Sequence, residues 1–286
     1  MHWAMKRKKA VLVTIGLSIL AAGLISSSSA AEKNDSLCTE HGLQPRFSKK
    51  GFPAEWGKAF SVWGRANIEH VRDAASGKDI ARVWFPAGTY DPGSMLSMSK
   101  QVGGTGFAVI LDDSGYQCAT LKYRVRFPPG FNFVRGGKLP GLAGGLNISY
   151  PKLPRGENGF TARLMWREHG QGEVYAYLRT TPKPGLYYGT SIGRGSWQFP
   201  TNKWVVIEQS IFINHPDRHD GMLRLSVDGN VVIDKGALQF RDKSNIHIDG
   251  LIFETFFGGN DETWATPERV HVDFADFSLV GYAPGN

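Results

Sequence analysis

Only two of the 286 residues are cysteine, Cys38 and Cys118, and neither sits in a Cys-x-x-Cys pair or a zinc-type spacing. A disulfide-dense scaffold and a cysteine-built metal centre are therefore excluded, and one bridge is the most that can form. Long helical periodicity is missing, which argues against a helical bundle. No internal repeat is found, so a solenoid or propeller array is not expected. A single long apolar run is present, and it lies at the N-terminus. The excess of positive charge comes with no nucleic-acid recognition motif, so nucleic acid is not an expected partner.

That apolar run explains part of the charge. Lys6-Arg7-Lys8-Lys9 precede the stretch Ala10–Ile25, and Ser26–Ser29 with Ala30-Ala31 follow it. A basic start, an apolar core and small residues at the end are the pattern of a secretory signal. The run is short for a bilayer span, which needs ~20 apolar residues. Residues 1–30 are therefore read as a signal peptide, giving a secreted or periplasmic protein with no membrane segment after cleavage. Removing the four Lys/Arg of this segment lowers the formal charge from +7 to +3. A modest positive excess suits an acidic partner. In an exported chain, a Cys38–Cys118 disulfide is favoured over two buried thiols.

Residues 31–50 read as an N-terminal arm or linker and residues 51–286 as one β domain. Candidate strands are Ile80–Phe85, Gly106–Leu111, Ala119–Phe127, Phe160–Trp166, Glu173–Leu178, Trp204–Asn214, Met222–Asp228, Asn230–Asp234, Gly250–Phe257 and His271–Gly281. Asp228-Gly229 between apolar alternations predicts a hairpin. Many short antiparallel strands without alternating helices predict an all-β jelly-roll sandwich of two sheets.

One hairpin collects chemistry. Side chains alternate along a strand, so Thr161, Arg163, Met165 and Arg167 share one face, opposite Phe160, Ala162, Leu164 and Trp166. In the next run, Glu173, Tyr175, Tyr177 and Arg179 oppose Val174, Ala176 and Leu178. A loop over 168–172 pairs Arg167 with Glu173, Met165 with Tyr175, and Arg163 with Tyr177. Guanidinium and phenol groups then share one polar surface.

Other candidates are weaker. Lys122, Arg124 and Arg126 share a strand face and either extend a binding groove or form an ordinary exposed surface. Arg194, in Gly-Arg-Gly, is a groove candidate without a role. His215, Asp217, His219 and Asp220 form a polar turn or a metal cluster, with the turn preferred; Asp112-Asp113 is a turn or a structural calcium site. His169 is read as a solvent-facing loop residue, Trp166 and Trp204 as core aromatics, and Asn147-Ile148-Ser149 as a glycosylation sequon.

The ordered motifs carry a resemblance. Gly136-Gly137-Lys138-Leu139-Pro140-Gly141-Leu142, Thr161-Ala162-Arg163-Leu164-Met165-Trp166-Arg167, Tyr175-Ala176-Tyr177, Gly193-Arg194-Gly195-Ser196-Trp197 and Phe256-Phe257-Gly258-Gly259 resemble polysaccharide lyase family 14. Lys203-Trp204 and Trp264-Ala265-Thr266-Pro267 continue the likeness, which spans roughly residues 120–280. The resemblance implies a jelly roll with a groove along its concave sheet, and cleavage of uronic-acid polymers by β-elimination. It places the active-site residues on Lys138, Arg163, Tyr175 and Tyr177, with Thr161 where the family has serine. Thr161, Arg167, Arg194, Lys122 and Arg124 are the expected substrate-binding residues.

Such a reaction needs cations to neutralise the uronate carboxylate, a base for the C5 proton and an acid for the C4 oxygen. Arg163 suits the carboxylate. Tyr177 is assigned the base or acid role from its pairing with Arg163, and Tyr175 orients the sugar; the two phenols exchanging roles, or Lys138 acting as base, are the alternatives. No cofactor is required. The expected protein is a monomeric alginate or glucuronan lyase. A non-catalytic, lectin-like jelly roll is the competing reading, and a hydrolase would need two carboxylates in one groove.

Overall fold

The computed structural model describes residues 37–111, 115–146, 154, 156–179 and 189–285. The segment read as an export signal, Asp112-Asp113 and Asn147-Ile148-Ser149 lie outside the described residues. Among the described residues no helix is long and apolar enough to cross a membrane.

In chain order the strands are β1 (Gln44–Lys50), β2 (Lys58–Trp63), β3 (Ile68–Arg72), β4 (Asp79–Phe85), β5 (Thr105–Ile110), β6 (Cys118–Arg126), β7 (Gly136–Gly144) and β8 (Phe160–Arg167). They continue as β9 (Gly172–Tyr177), β10 (Thr190–Ile192), β11 (Val205–Phe212), β12 (Gly221–Val227), β13 (Asn230–Leu238), β14 (Ile248–Thr255) and β15 (Val270–Ala283). One antiparallel sheet has the order β13-β12-β11-β6-β15-β4-β3, with β1 also on β15. The facing sheet has the order β10-β9-β8-β7-β14-β5-β2. This is the two-sheet jelly-roll sandwich that the strand pattern predicts. The Asp228-Gly229 turn joins β12 to β13 with both residues at positive φ (50° and 81°), the backbone a tight two-residue hairpin needs.

Period-two alternation builds the core. Leu121, Tyr123 and Val125 of β6 point inward from the first sheet; Phe160, Ala162, Leu164 and Trp166 of β8 point inward from the second. Trp166 is fully buried, with Phe85, Phe127, Phe131 and Phe257 edge-on around it at 5.4–6.3 Å between ring centroids. Such aromatic pairs each contribute about 1 kcal/mol beyond area burial. Trp204 differs from its expected core position. It is half-buried on the outer face of the first sheet, with the guanidinium carbons of Arg124 and Arg126 4.9 and 4.5 Å from its ring.

Two segments depart from the sequence reading. Residues 136–144 lie outside every candidate strand but form β7, a strand buried throughout. Its glycines answer close approach rather than flexibility: a Cβ on Gly137 would lie 2.0 Å from the Trp166 ring. Pro140 has no N–H to give the ladder, and the β7–β8 register shifts between Leu139 and Gly141. Side chains of the opposite sheet fill the break. The Tyr123 hydroxyl donates to Pro140 O at 3.1 Å, the Gln209 Oε1 accepts from Leu142 N at 2.8 Å, and its Nε2 donates to Ala162 O at 2.7 Å.

The N-terminal arm is the second departure. Gln44–Lys50 is not a free linker, because β1 pairs with β15 from Gln44↔Ala283 to Lys50↔Ser278. The helix Leu37–Glu40 (α1) carries Cys38 to Cys118 at the head of β6, where the two are disulfide-bonded across 80 residues of chain. Closing a loop of that length restricts the unfolded chain by about 4 kcal/mol in the chain-entropy treatment. The Cys38→Ser/Cys118→Ser double variant is therefore expected to melt several degrees lower by calorimetry. An unchanged melting temperature would show that α1 adds nothing to global stability.

Candidate active site

The polar face of β7, β8, β9 and β14 carries the chemistry. Lys138 comes from β7, Thr161, Arg163, Met165 and Arg167 from β8, Tyr175 and Tyr177 from β9, and Glu254 from β14. Lys138, Arg163, Tyr175, Tyr177 and Glu254 line one cavity of about 710 Å³, flanked by Arg135, Asp261 and Trp264.

The hairpin pairing differs from the expected one by two residues. Arg163 lies opposite Tyr175, Thr161 opposite Tyr177 and Met165 opposite Glu173. The cause is the link: Glu168–Gly170 forms a tight 3₁₀ turn with His169 and Gly170 at φ 59° and 76°, so β9 begins opposite Trp166. A shift of two preserves every side chain's face, because the period is two. Arg167 and Glu173 still meet, diagonally, at 2.5 Å. His169 itself is exposed.

Lys138 is 8% exposed, and its Nζ is 3.6 Å from the Tyr175 ring centroid and 3.0 Å from Met165 Sδ. An aromatic face and a thioether hydrate an ammonium poorly. Burial, reinforced by the charges of Arg163 and Arg167, holds the Lys138 pKa well below the ordinary lysine value. The Tyr177 phenol is displaced the other way: burial, with its neighbour Tyr175, pushes it up to about 12. The two rings meet edge to face with centroids 5.7 Å apart, and the Tyr175 hydroxyl accepts from Gly189 N at 2.7 Å.

The arginines are held by acids. Arg163 donates to Glu254, a residue the sequence reading did not single out. The signal for it was the outward position between Phe253 and Thr255; its nearness to Arg163 across β7 was not visible locally. Arg167 donates to Glu173, which is fully buried and also accepts from Ser191 Oγ at 2.5 Å. Two polar atoms here, Thr161 Oγ1 and Arg163 Nε, are buried with no hydrogen-bond partner among the described residues. Such groups are costly unless something pairs with them. A bound carboxylate is chemically suited to both.

Three expected groove residues lie elsewhere. Lys122 and Arg124 sit on β6, whose Leu121, Tyr123 and Val125 fill the core, so their side chains leave from the opposite outer surface of the sandwich. There Lys122 pairs with Glu208 at 3.1 Å and Arg124 with Asp276 at 3.1 Å. A second cavity of about 720 Å³ lies on that surface against Lys122 and Asp276, but it contains none of the phenol and amine groups above. Arg194 is exposed beyond the edge strand β10 and does not line the groove. In the His215 segment, His215 Nδ1 lies 2.8 Å from Asp220 Oδ2 and Asp217 has φ 62°, a closed polar turn. Among the described residues no group of three or more His, Cys, Asp or Glu could hold a metal ion.

Residues 73–277 match the family model described as polysaccharide lyase 14. The chain is similar to the marine PL-14 alginate lyase from Aplysia kurodai, at 27% identity and TM-score 0.69, over 83% of this chain and 99% of that one. It is similar in fold to an alginate lyase solved as a double mutant with an alginate tetrasaccharide, at 21% identity and TM-score 0.65, over 82% of this chain and 90% of that one. An endo-β-1,4-glucuronan lyase from the fungus Trichoderma reesei shares the fold at 11% identity and TM-score 0.56, over 83% of this chain and 96% of that one. No functionally curated protein matches.

Proposed function

This chain belongs to polysaccharide lyase family 14, and from that premise we propose that it is an exported enzyme cleaving alginate, with glucuronan as the next candidate, by β-elimination in the Lys138–Arg163–Tyr177 groove. The observation that carries the mechanism is the buried Lys138 amine, held between a phenol ring and a thioether with two arginines nearby. A binding module needs no amine with a depressed pKa; a proton-abstracting enzyme does.

The uronate carboxylate docks on Arg163, meeting Nε and the Thr161 hydroxyl, two groups that have no hydrogen-bond partner among the described residues. Glu254 holds the guanidinium in place from the other side. Neutralising the carboxylate acidifies C5–H and stabilises the enolate-like charge that follows. Neutral Lys138 takes the C5 proton. The C–H electron pair becomes the C4–C5 double bond as the C4–O bond breaks. Tyr177, protonated up to about pH 12, gives its proton to the departing oxygen. This divides the acid and base work between two groups whose surroundings push them in opposite directions. Tyr177 is thereby the acid, and Lys138, rather than either phenol, the base. Tyr175 carries the amine on its ring and orients the sugar.

Every charge in this scheme comes from a side chain, so no metal is needed, and the protein acts as a monomer outside the membrane after loss of residues 1–30. The direct test is incubation of the purified mature chain with a panel of polyuronates, following the ultraviolet absorbance of the unsaturated product. Alginate should give the fastest rise. Absence of a rise on every polyuronate would leave a carbohydrate-binding protein. Prior treatment with a chelator should leave the rate unchanged; loss of activity restored by calcium would overturn the metal-free scheme.

A further inference from the structure

The groove continues past the cleavage groups to a second cation. Arg135 directly precedes β7 and lines the same cavity as Lys138. Along a strand at ~3.3 Å per residue, the two Cα atoms are separated by up to about 10 Å, room for a neighbouring sugar. Arg135 is exposed, yet it is held in place. Its guanidinium carbon lies 4.9 Å from the Trp264 ring centroid, and its Nη1 donates to Thr263 Oγ1 at 2.5 Å. Thr263 is in turn fixed by Asp261, through backbone N at 2.9 Å and through its hydroxyl. The ring beneath is backed by Gly259, at φ +84°, where a Cβ would fall 2.1 Å from it. Only glycine lets the ring lie there.

Arg135 also differs from its neighbours in its pairing. Arg163 and Arg167 each hold a carboxylate of the protein, whereas no carboxylate lies within ion-pair distance of Arg135 among the described residues. Asp261 lines the same cavity, and hydrogen bonds from Thr263, helped by the nearby Arg135 charge, hold its carboxyl below the usual range, but it makes no ion pair with Arg135 among the described residues. A stacked guanidinium keeps its in-plane N–H groups free for a planar anion.

We propose that Arg135, seated on Trp264, binds the carboxylate of a uronate unit neighbouring the one that is cleaved. The inference rests on the polyuronate reading above and adds to it a specificity: the enzyme requires charge on more than one sugar.

The test uses Arg135→Ala and Arg135→Lys in the full mature chain, with alginate and its defined oligosaccharides. For Arg135→Ala, KM should rise about tenfold, the order expected for a charged hydrogen bond, with kcat within about twofold. Arg135→Lys should recover part of the loss. Wild-type KM should climb with added salt, and that of Arg135→Ala should climb less steeply, because Arg163 still meets one carboxylate. Calorimetric binding of an alginate tetrasaccharide should weaken in parallel, while the melting temperature stays put. An unchanged KM and affinity in Arg135→Ala would overturn the proposal, as would a loss that salt does not affect. If the wild-type chain binds the oligosaccharide through Arg135 and cleaves no polyuronate, the lyase reading falls and this site stands.

Discussion

Replacing Lys138 by methionine is expected to lower turnover by about two to four orders of magnitude and to make the protein more resistant to heat. Methionine keeps an unbranched apolar stem against Tyr175 and Met165 and removes the amine. The loss of rate follows from deletion of the base, a group of about 10²–10⁴-fold worth. The gain in stability follows from the direction of the pKa shift. Unfolded Lys138 holds its proton up to about the ordinary lysine value of 10.5, while the folded group releases it well below that. Between these values the unfolded state binds more protons, so the native state is penalised increasingly as pH falls. Below the folded pKa the penalty is complete. The stabilisation of Lys138→Met should therefore grow as pH falls and shrink as pH rises towards 10.5. Calorimetry across that range, beside rates from product absorbance, checks both halves. The same titration shapes the wild-type profile: the rate should fall as acidification charges the amine. A Lys138→Met enzyme keeping more than a tenth of its turnover would move the base elsewhere.

Tyr177→Phe should cost about two to four orders of magnitude in kcat with little change in KM. The ring, its edge-to-face contact with Tyr175 and its burial are retained; the hydroxyl that delivers the proton is not. Because burial keeps this phenol protonated to about pH 12, the loss should be uniform across the working range rather than confined to one limb. Tyr175→Phe provides the contrast. It keeps the ring beneath Lys138 and loses the bond accepted from Gly189 N, so its damage should be milder. Steady-state kinetics of the two variants decide the matter: an active Tyr177→Phe beside a dead Tyr175→Phe would exchange their roles.

The sequence revealed faces better than neighbours. Alternation alone placed Arg163, Tyr175 and Tyr177 together, and a two-residue slip in the pairing left that intact because each side chain's face repeats every two residues. The slip itself was invisible, since it depends on left-handed backbone at His169, a residue with no strong sequence signal for it. Lys138 could be placed only through the family resemblance: the glycines that admit Trp166 disguise β7 as a loop. Glu254 reaches Arg163 from a strand more than ninety positions later, and nothing near it in the chain announces the pairing. Lys122 and Arg124 failed for a related reason. Their common face was correct, but which sheet β6 joins is a tertiary fact, and it sends them to the far side.

The break at Pro140 has a mechanical consequence. A bulge in the strand that carries the base would ordinarily be a soft point, with carbonyl and amide groups free to rearrange. Here Tyr123 and Gln209 reach across from the opposite layer and take up those groups. The two layers cannot slide over one another without breaking these ties in a dry interior, where each lost bond is expensive. Lys138 and Arg163 lie on either side of the tied segment, so their spacing is set by a sheet that never meets the polymer. The stiffness of the cutting edge is borrowed from its back.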